Sequence, residues 1–200
     1  MSLDAELAQD QLERAAALEP DCDFYWGRLG GAARLRAKAT SGDQKLVLLL
    51  RSRQGFERAI GLCPVHAYYH VGLARVLADL AREKLAEPAK SFAEYDCALA
   101  LETTNPYYFT DAANAALVLN DLSRAREYAA RGLSAFPSFG PLQAHMGYIS
   151  IVENHRKAGA EWLRGAMAAD WHGDDAGRQF AAAKLAELTR ADNERHAARP

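Results

Sequence analysis

The sequence predicts an all-α solenoid of about ten helices packed as antiparallel pairs, and three features carry that expectation. Small residues recur in pairs seven places apart: Ala8 with Ala15, Ser52 with Ala59, Ser91 with Ala98, Ala125 with Gly132, and Gly159 with Ala166. The second members are separated by 44, 39, 34 and 34 residues, a period near that of a helix-pair repeat. Around each anchor, a residue three before (Leu12, Phe56, Tyr95, Ala129, Leu163) and one three after (Leu18, Leu62, Leu101, Ala135, Ala169) fall on the same helix face. One helix pair cannot bury such a face alone, so successive pairs must stack.

The elements follow in order. Residues 1–22 match the second helix of a unit, with Ala8, Leu12, Ala15, Leu18 and a closing Pro20, but no first helix precedes them. The chain therefore starts in mid-repeat, as an N-terminal cap or, the preferred expectation, as a segment of a longer protein. Four units are expected at 23–64, 65–105, 106–139 and 140–173. Their first helices place Trp26, Tyr68 and Phe109 four residues before Gly30, Gly72 and Ala113; the fourth has Gly147 but Gln143 instead of a ring. Each ring is expected to fill the gap beside its own small residue. The second helices stop at Pro20, Pro64 and Pro137, five residues past the anchor, while Thr103 and Trp171 hold that place in the other copies.

Units one and two are long. Gly30 to Ser52 is 22 residues and Gly72 to Ser91 is 19, against 12 for Ala113 to Ala125 and for Gly147 to Gly159. The excess is expected to add about one turn to each helix of the first two hairpins, whose turns lie at Thr40–Asp43 and Glu87–Pro88. The apolar run from Leu46 to Leu50 falls in the first extension. It predicts either an enlarged local core, covered by Leu35, Leu77, Leu80 and Leu85, or an exposed edge at Leu46, Leu48, Leu49 and Leu50 for homo-oligomerisation or docking. Residues 174–200 read as a capping helix, N-capped at Asp174 or Asp175, with Phe180, Ala181, Leu185 and Leu188 facing inward and Asn193–Pro200 fraying.

Composition narrows the function classes. The formal charge of -2 lacks the basic excess that nucleic acid or an anionic membrane surface requires. No apolar run is long enough to span a bilayer, and the N-terminus lacks the order of a signal peptide. Cys22, Cys63 and Cys97 form no C-x-x-C pair and are expected as buried small side chains, which favours a reducing, cytoplasmic setting. A segment of a larger membrane protein would instead take its address from that protein.

These columns, an aromatic followed by a small residue in one helix, small and apolar residues in the next, and a closing proline, make the chain resemble the tetratricopeptide repeat family over nearly its whole length. The resemblance implies a single right-handed superhelical domain that binds protein or peptide on a concave surface lined by the first helices. Aromatic pairs such as Tyr68 and Tyr69 after a proline are also similar to the repeat tails of bacterial membrane-embedded O-antigen ligase and polymerase proteins, which implies an assembly role as an alternative. Groove positions counted from the columns are Gly27, Gly31 and Arg34; His66, Tyr69, Leu73 and Val76; Tyr107, Thr110, Asn114 and Leu117; and Ala144, Tyr148 and Ile151. The family's clamp for a C-terminal carboxylate needs asparagines in successive units. Here that column reads Gly31, Leu73, Asn114, Tyr148, so such a clamp is not expected.

Catalysis finds little support. His66 and His70 have the four-residue spacing of a helical metal pair, but Ala67 stands where a zincin carries its glutamate and no third ligand is evident. Neither a phosphate-binding loop nor a nucleophile elbow is present. The expectation is a non-catalytic scaffold without metal or cofactor, with a metal-dependent enzyme built on His66 and His70 as the remote third reading.

Overall fold

A computed structural model describes the backbone of residues 3–197 and the side chains of residues 10–190. Among the described residues there are ten helices and no strand beyond one isolated bridge. They are α1 (Leu3–Leu18), α2 (Asp23–Lys38), α3 (Gly42–Leu62), α4 (Ala67–Arg82) and α5 (Pro88–Leu101), then α6 (Pro106–Val118), α7 (Leu122–Ala135), α8 (Gly140–Val152), α9 (Arg156–Ala168) and α10 (Asp175–Ala197). The chain divides into two compact units, one reaching to Thr104 and one starting at Asn105. No described helix is long and apolar enough to cross a membrane. The Ala8 side chain lies outside the described residues, as do residues 198–200 of the segment expected to fray; α10 runs on to Ala197.

In unit 1 the small columns let helices approach closely. Ser52, Ala59, Ser91 and Ala98 are completely buried. The two serines also donate to carbonyls of the preceding helix, Ser52 to Gly30 at 2.6 Å and Ser91 to Ala74 at 2.8 Å, so burial leaves no hydroxyl unpaired. A Cβ on Gly55 would stand 2.8 Å from the Gly30 nitrogen, which fixes how near α3 lies to α2. The ring that fills the glycine sites is not the expected one. Phe56 of α3 lies against both Gly30 and Gly72, whereas Trp26 is half-buried and Tyr68 meets Phe56 only edge-on, at 6.4 Å between centroids. Leu18, expected on the core face of its helix, is 83% exposed.

The extra residues of unit 1 are distributed unevenly. Helix α3 has 21 residues and α2 and α4 have 16 each, but α5 has only 14, so the second insertion lengthens α4 and the turn after it. Leu48 and Leu49, at 4% and 1% exposure, belong to a core with Leu73, Val76, Leu77 and Leu80, and Leu46 packs against it. The expected interface leucines are thus largely interior, because the long α3 lies along the long α4. Val47 and Leu50 remain exposed, as do Leu35 and Leu85, two of the residues expected to cover the run.

Unit 2 repeats the scheme with helices of 13 or 14 residues in α6 to α9. Ala125 and Ala166 are completely buried, and Leu163 occupies the Gly147 site as Phe56 does in unit 1. The parallel bridge between Phe139 and Asp170 joins the turns before α8 and after α9: the Gly140 N–H donates to the Asp170 carbonyl at 2.8 Å, and the Asp170 N–H to Ser138 at 3.2 Å.

Two local devices recur. Six residues after each closing proline, a side-chain donor reaches back to that proline's carbonyl: Trp26 Nε1 to Pro20 at 2.9 Å, His70 Nε2 to Pro64 at 2.8 Å, and Gln143 Nε2 to Pro137 at 2.8 Å. Gln143, which breaks the aromatic column, is explained by this contact. At the ends of α4, α6 and α8 the chain turns through a residue with positive φ, respectively Lys84, Asn120 and Asn154. The N–H two residues past each helix cap closes a six-residue turn, from Leu85 to Leu80, Asp121 to Ala116 and His155 to Ser150. Asparagine tolerates this conformation better than lysine does. Lys84→Gly is therefore expected to stabilise unit 1 by about 0.5–1 kcal/mol, seen as a higher urea midpoint at unchanged m-value.

Candidate functional site

The two units treat their predicted groove residues differently. In unit 1 the positions are largely closed. Tyr69, Leu73 and Val76 are buried: Tyr69 packs into the space left by Gly27, and its hydroxyl donates to Asp23 Oδ2 at 2.8 Å. Burial, followed by the Asp23 carboxylate, pushes the Tyr69 hydroxyl far above its ordinary titration range. Arg34 is bound to Asp79 at 2.7 Å. His66 is exposed and stacks on Tyr69 at 4.3 Å, while Gly31 is half-buried beneath the Tyr68 hydroxyl. Tyr69, Leu73, Val76 and Arg34 thus make core and ion-pair contacts.

His70 is buried with both ring nitrogens engaged, Nδ1 by Glu94 at 2.7 Å and Nε2 by the Pro64 carbonyl. Among the described residues no group of three or more potential ligands is gathered. Cys22 and Cys63 are half-buried, but Cys97 is exposed, contrary to expectation; partial burial and the neighbouring Glu94 and Asp96 raise its thiol's titration, which disfavours the thiolate.

Unit 2 contains an open cleft of about 440 Å³ between α6, α8 and the start of α10. One wall carries Thr110, Asn114, Leu117 and Val118 from successive turns of α6. The second carries Pro141, Ala144, His145 and Tyr148 of α8, and the end is closed by Trp171, Asp174, Gly177 and Phe180. The predicted Thr110, Asn114, Leu117, Ala144 and Tyr148 thus come together. Tyr107 lies outside the cleft lining, edge-on to Phe139 at 5.2 Å, and Ile151 packs toward the α9–α10 core.

The floor and end wall are built from residues that the sequence marked for other roles. Trp171, where a closing proline was expected, is buried and donates from Nε1 to the Ala166 carbonyl at 2.7 Å. Its ring fills the site of Gly140, where a Cβ would stand 2.7 Å from Nε1. Asp174 caps α10, accepting the Gly177 N–H at 2.9 Å. Phe180 was assigned to the inward face of α10, yet it is 55% exposed and stands 6.3 Å from Tyr148 at the cleft rim, while Ala181 and Leu188 take the core. The D-x-x-G sequence at Asp174–Gly177 is the signal that marks where this wall begins.

His145 brings an imidazole to the wall. Its Nδ1 lies 2.7 Å from the Pro141 carbonyl, which can only accept, so Nδ1 carries the proton and Nε2 a lone pair. Loss of solvent around the ring lowers its titration below 6.5, outweighing the Pro141 contact and the Asp111 and Asp174 carboxylates, which act the other way. The unfolded chain therefore binds this proton more readily than the folded one. His145 contributes stability that is full above about pH 6.5 and is lost as the pH falls toward the lowered folded value. His145→Gln is expected to flatten the fall in urea midpoint between about pH 6.5 and pH 5.

The sequence matches no protein-family model, and no curated protein matches it. Solved structures do match. MamA superposes with a TM-score of 0.65 at 14% identity, over 82% of this chain and 88% of that one. PilW, described as a widely conserved type IV pilus biogenesis factor, gives 0.62 at 17% identity over 91% and 84%. YrrB, described as a TPR protein with an unusual peptide-binding site, gives 0.55 at 14% identity over 88% of each chain. The fold is of the tetratricopeptide type.

Proposed function

We propose that this chain is a non-catalytic protein-interaction scaffold that holds a short segment of a partner protein in the α6–α8–α10 cleft. The observation that carries this reading is the cleft itself: about 440 Å³, walled mainly by apolar and aromatic side chains, with Asn114 and Tyr148 in its lining as side chains able to hydrogen-bond a peptide backbone. A non-catalytic role is supported by the engagement of both His70 nitrogens, and by YrrB, a protein of the same fold described as having a peptide-binding site. Among the described residues no lysine or arginine lines the cleft, which weighs against a nucleic-acid strand as its occupant.

Selection of a displayed random octapeptide library on the full chain tests the reading. Selected peptides are expected to bind at least tenfold more weakly to the Asn114→Ala/Tyr148→Ala variant, while Val47→Ala/Leu50→Ala on α3 leaves binding unchanged. Equal binding to the cleft variant, with the fold intact by circular dichroism, would put the site elsewhere.

A further inference from the structure

Resting on the cleft reading above, we infer that the partner segment is anchored in the α6–α8–α10 cleft by a tryptophan whose indole N–H donates to His145 Nε2.

The imidazole is fixed as an acceptor. Its Nδ1 proton is held by the Pro141 carbonyl, one turn back on its own helix, so Nε2 carries the lone pair on the side of the ring away from that contact. Nε2 has no hydrogen-bond partner among the described residues, yet it is not sealed in the interior. Because the ring lines the cleft, a ligand meets this lone pair there. Thr110 on the α6 wall is in the same state: its hydroxyl donates to the Pro106 carbonyl at 3.1 Å and keeps its lone pairs. The N–H of Trp171 is spent on Ala166. A ligand that covers such an acceptor with hydrocarbon forfeits its hydrogen bond to water, whereas one that brings a donor replaces it.

An indole meets both demands of the cleft. It carries a donor and no acceptor, and its flat apolar body matches the ring surfaces of Tyr148, Phe180 and Trp171. Phenylalanine and leucine supply the apolar body without the donor. Tyrosine adds oxygen lone pairs that need donors of their own. Even beside Asp174, a lysine or arginine would shed the water of a full charge among mainly apolar side chains. Asn114 and the Tyr148 hydroxyl remain for the backbone on either side of the anchor.

The same octapeptide selection, read for composition, tests the inference, and tryptophan is expected to be enriched above every other residue. One enriched peptide is then made with tryptophan and with 3-benzothienylalanine, which keeps the bicyclic shape but has sulfur in place of the N–H. By fluorescence polarisation the sulfur peptide is expected to bind the native chain at least about fivefold more weakly. On His145→Phe, which keeps a ring in the wall and removes the acceptor, the two peptides should bind within about twofold of each other. The comparison on the native chain decides alone if circular dichroism shows that His145→Phe does not fold. Enrichment of other residues over tryptophan, equal binding of the two peptides to the native chain, or an undiminished preference on a folded His145→Phe would overturn the inference while leaving the cleft reading intact. A pool no richer on the native chain than on Asn114→Ala/Tyr148→Ala would overturn both.

Discussion

Phe56→Ala is expected to destabilise unit 1 by about 3–5 kcal/mol. The ring is 2% exposed and sits between two helices at glycines: a Cβ would stand 2.9 Å from it at Gly30 and 2.2 Å at Gly72. Truncation removes the transfer energy of a phenyl ring and leaves a cavity that rigid helices on either side cannot close. Phe56→Leu, which keeps most of the volume, should cost less than half as much. The pairing can be isolated by a double-mutant cycle. Gly72→Ala alone must overpack the site and is expected to cost about 1–3 kcal/mol, whereas in the Phe56→Ala background the added methyl enters vacated space and should cost nothing or stabilise. Urea unfolding of the four proteins measures the coupling, and strict additivity would deny the contact its role.

Trp171→Ala has the second large effect, and it joins stability to binding. The indole is buried, hydrogen-bonded to Ala166 and packed on Gly140, so its loss is expected to cost unit 2 about 3–5 kcal/mol. It also removes the end wall of the cleft, against which the first turn of α10 packs at Gly177: a Cβ there would lie 3.0 Å from the ring. Peptide binding should therefore fall with Trp171→Ala even at temperatures where circular dichroism reports full helix content. Trp171→Phe separates the two contributions. It keeps ring volume and gives up the N–H···O bond to the Ala166 carbonyl, for a cost of about 1–3 kcal/mol with the cleft retained. Binding by Trp171→Ala at native strength would show that the end wall is dispensable.

The fold was legible because small residues at Ser52, Ala59, Ser91, Ala98, Ala125 and Ala166 announce close helix packing by their size alone, and size is read directly from sequence. What fills the space beside them is a different matter. Spacing within α2 and α4 suggested Trp26 and Tyr68, but the occupant, Phe56, comes from the helix between them, and only the crossing of the helices reveals it. The groove divides for a similar reason. Thr110, Asn114, Leu117, Ala144 and Tyr148 line the cleft as their spacing on α6 and α8 implies. Tyr69 has equivalent spacing yet is interior, because Gly27 offers room and Asp23, 46 residues away, accepts its hydroxyl. Trp171 and Asp174 were legible as the occupant of a closing-proline place and as an N-cap candidate, but not as cleft wall, which arises only where the start of α10 meets α6 and α8. The leucine run at 46–50 was ambiguous in sequence, and the extra length of α4 resolves it toward burial for Leu48 and Leu49.

The contact from each closing proline's carbonyl to a donor six residues on has a consequence for how degenerate copies of such a unit can be recognised. An indole, an imidazole and a carboxamide share no volume, charge or hydropathy, and a comparison of residue types would score Trp26, His70 and Gln143 as unrelated. They hold the same place because each delivers one N–H at the same reach. That position is a slot for a proton donor, and a reading frame counted from the proline recovers a unit whose aromatic has been lost.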